Sequence, residues 1–204
     1  MDLLFDTPKT DQRKEKICCW ANCYIDIAQT YYIENFTREK KLLELKESIY
    51  KQGHLTKSEL EILAKWKSPR NANRIIKNNS EKLVKEKTSA SFKATDPYES
   101  INPLRELKRI DWAIASAILH FFHKDKYPIY DIHALRAVGK EKGEGVWGRY
   151  VEFCRKVAKD NKVDMRTLDR ALYRFGYVQS VLNYYEDDLA CLGVKVSDII
   201  NGSL

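Results

Sequence analysis

The chain is expected to be all-α. Apolar residues recur at helical spacing along most of it, capping residues precede those runs, and the alternation of a half-buried strand is nearly absent. The first apolar-periodic segment runs from about Ile17 to Tyr32. The next, "TREKKLLELKESIYKQG", opens at Thr37 as a cap with Glu39 behind it. It carries Leu42, Leu43, Leu45 and Ile49 as a stripe and stops at Gly53. In "LTKSELEILAKW", Thr56 and Glu59 have the spacing of a capping box. In "KSPRNANRIIKN", Ser68 caps and Pro69 takes the first helical position, where its missing N–H costs nothing. "SEKLVKEKTSASF" and "DPYESINPLRELKRI" follow as short helices, the second interrupted at Pro103.

"DWAIASAILHFFH" is the most apolar helix, and Ala113, Ala115, Ser116 and Ala117 give it a face that another backbone can approach closely. Pro128 then forces an extended approach to Asp131, which caps "IHALRAVG". "VWGRYVEFCRKVAKD", "MRTLDRALYRFG" and a last helix within "DDLACLGVKVSDII" complete the chain, with no internal repeat, glycine-rich phosphate loop or long linker.

The 204 residues include 36 Lys and Arg against 29 Asp and Glu, a net charge of +7 that favours a polyanionic partner. No apolar run approaches the roughly 18 residues a membrane span needs. The start "MDLLFDTPKTDQRKEK" lacks the plan of a signal peptide, so a cytoplasmic protein is expected, with no membrane role. The five cysteines are odd in number and scattered, as reduced thiols are. "CCWANC" has no second cysteine pair or histidine cluster to complete a metal site. Its cysteines are read as buried small hydrophobes, and His120 and His123 as packing or surface residues; no metal is expected.

Asp131 admits two readings, a helix cap or an acid that does chemistry. The residues around it carry a resemblance. Leu107, Ile110, the run Ala115 to Leu119, Pro128 and Asp131 stand in the order and spacing of the helix-hairpin-helix DNA glycosylase superfamily, and "DIHALR" resembles its D-x-H-x-x-R pattern through Asp131, His133 and Arg136. The likeness extends from about Leu55 to Tyr177. It is also close to a bacterial subgroup with "WKS-x-R" and "ILHFFHKD-x-YPI-x-D" signatures. "LDRALYRFG" resembles the family's late helix, which ends in Gly.

The resemblance implies a two-lobed all-α fold with a central groove. One lobe spans roughly 36–125, with the hairpin motif at about 103–122; the other combines 1–35 with 126–204. It further implies a monomeric DNA N-glycosylase in which Asp131 is the catalytic carboxylate. A fixed anion stabilises positive charge developing on the sugar and can orient the attacking water. The partner would be double-stranded DNA with one base flipped out, in base-excision repair or attack on modified foreign DNA. Trp112 and Trp66 are candidates for the base pocket. Lys67, Arg70 and Arg74 on one helix start, with Lys108 and Arg109 in the hairpin, are candidates for phosphate contact. Pro128, His133 and Arg136 are read as structural residues around the site. Arg166 and Arg170, four apart, either pair with acids or line the groove.

The chain also departs from the family pattern. Arg109 and Asp111 replace the two hairpin glycines, which permit a tight turn and close phosphate approach. Asp111 is expected to cap the second helix, while Arg109 offers a phosphate contact. Ala113 stands where bifunctional members carry a lysine, so no lyase step is expected. The four-cysteine iron–sulfur loop is missing, and no cofactor is expected. The alternatives are a DNA-binding module without turnover, or a protein-interaction scaffold.

Overall fold

The structure, a computed structural model, describes residues 10–31, 33–143, 145–191 and 193–197, and the side chains of 13–26, 36–143, 145–191 and 193–197. Described residues form eleven helices and no strand: α1 (Thr10–Tyr31), α2 (Ile33–Gln52), α3 (Lys57–Lys67), α4 (Pro69–Asn78), α5 (Glu81–Lys93), α6 (Pro97–Arg105), α7 (Trp112–Phe122), α8 (Ile132–Ala137), α9 (Val146–Asp160), α10 (Met165–Tyr184) and α11 (Glu186–Cys191). The fold is all-α. None of these helices is long and apolar enough to cross a membrane.

Helices α2 to α7 pack on one another around the apolar α7, while α1, α8 and α9 pack on α10. Contacts of α1 with α2 and of α6 with α9 join the two groups. Leu42, Ile49, Leu60, Leu63, Ile118 and Leu119 are fully buried. Each such side chain contributes about 1.5–3 kcal/mol relative to an exposed one. Trp147 of α9 is buried too and donates its Nε1–H to the Pro97 carbonyl at 2.8 Å, tying α9 to the start of α6.

Local signals and observed helices agree at most starts. The Thr56–Glu59 capping box is complete, and Ser80, Asp96, Asp111, Asp131 and Asp164 each cap a helix through a side-chain oxygen. Four expectations are corrected. Helix α2 begins at Ile33, so Thr37 lies inside it, and Glu39 is buried rather than a capping partner. Ser68 stands at the cap position of α4, but its hydroxyl accepts from the Asn71 side chain at 3.2 Å instead of from the backbone. Pro103 does not split α6, which ends two residues beyond it. Gly176 does not end the late helix: α10 continues eight residues past it, because a glycine there lets α10 touch α8.

The segment between α7 and α8 is extended and stitched down along its length. His120 Nδ1 bonds the Tyr127 carbonyl at 2.7 Å. The Ser116 hydroxyl accepts the Tyr130 N–H, and Asp169 Oδ1 accepts the Ile129 N–H, both at 2.8 Å. The small-residue face of α7 thus does what its composition predicts, since Ser116 meets the backbone of this link. Pro128 is buried within it.

The turn between α6 and α7 keeps a glycine-like backbone without glycine. Arg109 has φ 66°, and Asp111 Oδ1 accepts the Ile114 N–H at 3.0 Å. Buried Asn79, just after α4, clamps the turn: its side chain accepts the Lys108 N–H and donates to the Lys108 carbonyl, both at 2.9 Å, and donates to the Ile75 carbonyl at 2.8 Å. The hairpin is therefore tied to the C-terminal end of α4.

Candidate active site

A cavity of about 180 Å³ lies where α1, α3, α8 and α10 meet, on the scale of a single planar heterocycle. Its aromatic walls are Tyr24 of α1, Trp66 of α3 and Tyr173 of α10. The polar groups lining it are Lys67, Asp131, Arg166 and Asp169.

Lys67 is the last residue of α3 and Asp131 the cap of α8. Each charge therefore complements the dipole of its own helix end. The Lys67 Nζ donates to Asp131 Oδ2 at 2.6 Å, with only 14% and 17% of the two side chains exposed. Asp131 Oδ1 accepts the His133 N–H at 3.0 Å. Burial pushes the Asp131 carboxyl up, but the adjacent Lys67 ammonium and these hydrogen bonds more than offset it and hold the group below the usual carboxylate range. The result is an ionised carboxylate in a partly dry cavity, placed by the stitched link before it and the helix after it.

A second charge cluster supports that link. Arg166 donates from Nη2 to Glu39 Oε2 at 2.6 Å, from Nε to Glu39 Oε1 at 3.2 Å and from Nη1 to Asp169 Oδ2 at 2.8 Å. Arg170 also donates to Glu39. Burial pushes the Glu39 carboxyl up, and the two guanidiniums bring it below its ordinary value. Asp169 thereby joins α10 to the Ile129 backbone, two residues before Asp131. The Arg166 guanidinium also lies 5.4 Å from the Trp66 ring centre and 5.7 Å from that of Tyr24.

Of the residues singled out by sequence, the structure brings Asp131, Lys67, Trp66 and Arg166 into this cavity, and Arg166 and Arg170 pair with acids. Trp112 is elsewhere. It packs against Tyr130 and Trp147 with ring centres 5.6 and 6.3 Å away, and the Arg105 guanidinium lies 4.0 Å over its ring. Lys67 is a cavity residue rather than an outer phosphate contact, since its ammonium is committed to Asp131. Arg70 and Arg74 on α4, and Lys108 and Arg109 in the hairpin, are exposed. His133 sits between the rings of Tyr173 and Tyr177 at 5.3 and 5.4 Å, and Arg136 donates to the Ser180 hydroxyl at 2.8 Å.

Tyr24, Tyr173 and Asp169 carried no signal in the sequence; Glu39 was visible only as a capping partner and Arg166 only as one of a pair of basic residues. Among the described residues no group of three His, Cys, Asp or Glu side chains is arranged to hold a metal ion. The cysteines are free: of the CCWANC set, expected to be buried, Cys19 is exposed and Cys18 and Cys23 are half-buried, while Cys154 is buried and Cys191 exposed. Comparison with protein-family models, curated proteins and solved structures finds no match to the chain.

Proposed function

We propose that the protein is a monofunctional DNA glycosylase of the helix-hairpin-helix type, which hydrolyses the bond between deoxyribose and an altered or mispaired base. The observation that carries this reading is the ionised Asp131 carboxylate lining an aromatic-walled cavity on the scale of one base. In the reaction the N-glycosidic bond breaks, its electron pair leaves with the base, and positive charge spreads over the sugar ring. A fixed carboxylate stabilises that charge and orients the water that attacks C1′. Tyr24, Trp66 and Tyr173 offer surfaces on which an extruded base packs, repaying part of the unstacking cost. The exposed Arg70, Arg74, Lys108 and Arg109 supply phosphate contacts to DNA. The chemistry calls for no metal or organic cofactor.

The test is strand cleavage of end-labelled oligonucleotides carrying single altered bases or mismatches, read before and after hot alkali. Asn caps helices as well as Asp does, so Asp131→Asn removes the charge while leaving α8 its cap. Alkali-dependent cleavage that falls by about 10²–10³-fold in this variant is the expected result. Cleavage equal in the two proteins would sink the reading. The alternative, a DNA-binding module without turnover, draws on the same ion pair, because both carboxylate oxygens of Asp131 are already occupied. It requires salt-sensitive DNA binding with no cleavage of any altered base.

A further inference from the structure

The cavity says something about which base it would accept, an inference that rests on the glycosylase reading. Two of its three aromatic rings, those of Tyr24 and Trp66, already have cations beside them. Arg166 lies near the rings of both Tyr24 and Trp66, Arg170 lies 5.8 Å from the Tyr24 ring centre, and Lys67 lies 6.0 Å from that of Trp66. The negative potential of those rings, which would attract a positively charged base, is therefore already engaged. The cavity's acidic groups are engaged too. Asp169 takes Arg166 and the Ile129 N–H, while Asp131 takes Lys67 and the His133 N–H. Hydrogen-bond donors, by contrast, are in excess. Trp66 is 7% exposed, and its indole N–H finds no acceptor among the described residues.

Asp131 also has a problem that a bound nucleotide would solve. With the Lys67 ammonium on Oδ2, much of its charge is cancelled and that oxygen cannot face the sugar. An acceptor atom on the base gives the ammonium an alternative partner and frees the carboxylate.

We infer that the substrate base is uncharged and presents a carbonyl oxygen or ring nitrogen to Lys67, which moves from Asp131 to the base and donates a proton to it as the glycosidic bond breaks. The electron pair of the breaking bond stays on the base, the Lys67 proton neutralises it, and the attacking water loses its own proton to Asp131. Cationic N-alkylated purines are excluded by the same ammonium. They need no proton to leave, and the rings of Tyr24 and Trp66 already have cations beside them.

The experiment compares two sets of oligonucleotides. Uracil, hypoxanthine and 8-oxoguanine are the uncharged set; 7-methylguanine and 3-methyladenine, cationic as nucleosides, are the charged set. Each is measured against its protein-free rate with wild type, Lys67→Gln and Lys67→Arg, and thermal melting confirms that each variant is folded. The expected result is cleavage within the uncharged set and none above background in the charged set. Lys67→Gln should slow cleavage by about 10- to 100-fold, the scale of one charge-assisted hydrogen bond, and Lys67→Arg, whose guanidinium keeps its proton, should not restore it. Preferential cleavage of a charged base, or equal cleavage of both sets, would overturn the inference and leave the glycosylase reading standing. No cleavage of any base would remove the glycosylase reading and this inference with it.

Discussion

A Cβ placed on Gly176 would lie 1.8 Å from the carbonyl oxygen of His133 and 3.1 Å from the Ala137 nitrogen. Helices α10 and α8 thus touch backbone to backbone, two residues beyond Asp131. The approach admits no side chain, because the obstructing atoms are themselves backbone and cannot rotate away. Gly176→Ala is expected to destabilise the protein by about 3 kcal/mol and lower its Tm by roughly 6–12 °C. Any catalytic activity should fall further than folding does, since α8 would be pushed off the position that sets Asp131. Gly143→Ala is the control: the nearest atom to its Cβ would be 3.5 Å away, on the Val146 side chain, and melting should barely change.

Arg109 gives a prediction of opposite sign. Its φ of 66° is a left-handed conformation that costs an L-residue roughly 1–2 kcal/mol. Glycine adopts it freely but loses more entropy on folding. Arg109→Gly is therefore expected to raise stability slightly, by up to about 1 kcal/mol in urea titration. On the proposed function it should also weaken binding to every DNA sequence alike and reduce the salt dependence by about one counterion. A variant that melts lower than wild type would show that the Arg109 side chain, not its backbone, holds the hairpin.

Acid should weaken the fold in two phases, the first from histidines and the second from carboxylates. Burial is the main cause that lowers His120 from 6.5 to about 4, and its Nδ1–H stays on the Tyr127 carbonyl. Between these values the unfolded chain binds a proton that the folded chain refuses. Stability is thus complete above about pH 6.5 and declines as pH falls toward 4, by up to about 3 kcal/mol. Asp131 acts lower: its folded value lies below 3.8, so its contribution is present above 3.8 and lost as pH falls through the folded value. Urea midpoints measured from pH 7 to pH 3 should show both phases. His120→Asn should reduce the first phase, which His123 and His133 share because burial lowers them as well, and leave the second; an unchanged first phase would assign its slope to those two.

Much of the local structure was legible because its causes are local. A Thr three residues before a Glu makes a capping box wherever the chain folds. Asp111 and Asp131 cap their helices because an oxygen on a short side chain reaches the next turn's N–H. Helix starts without such a signal were less legible. Thr37 and Glu39 look like a cap and its partner, yet α2 begins four residues earlier and Glu39 faces inward to two arginines.

The cavity itself could be only partly read. Asp131 and Trp66 were singled out, and Lys67 was too, but as a phosphate contact. What neighbours a residue across 64 positions, as Lys67 does Asp131, or across 127, as Arg166 does Glu39, depends on how whole helices pack. Trp112 was read as a base-stacking residue, yet it packs instead against Tyr130 and Trp147.

The sequence by itself determined an all-helical chain, most of its helix starts, the extended approach to Asp131 and a basic surface, because propensity, capping and charge act over a few residues or over the whole. Only the tertiary structure decided that a lysine neutralises that aspartate, that two buried acids hold the arginines, and that Gly176 is a contact rather than a stop. These depend on which atoms close packing brings within a hydrogen bond of one another, and helix docking settles that over distances that local patterns do not encode.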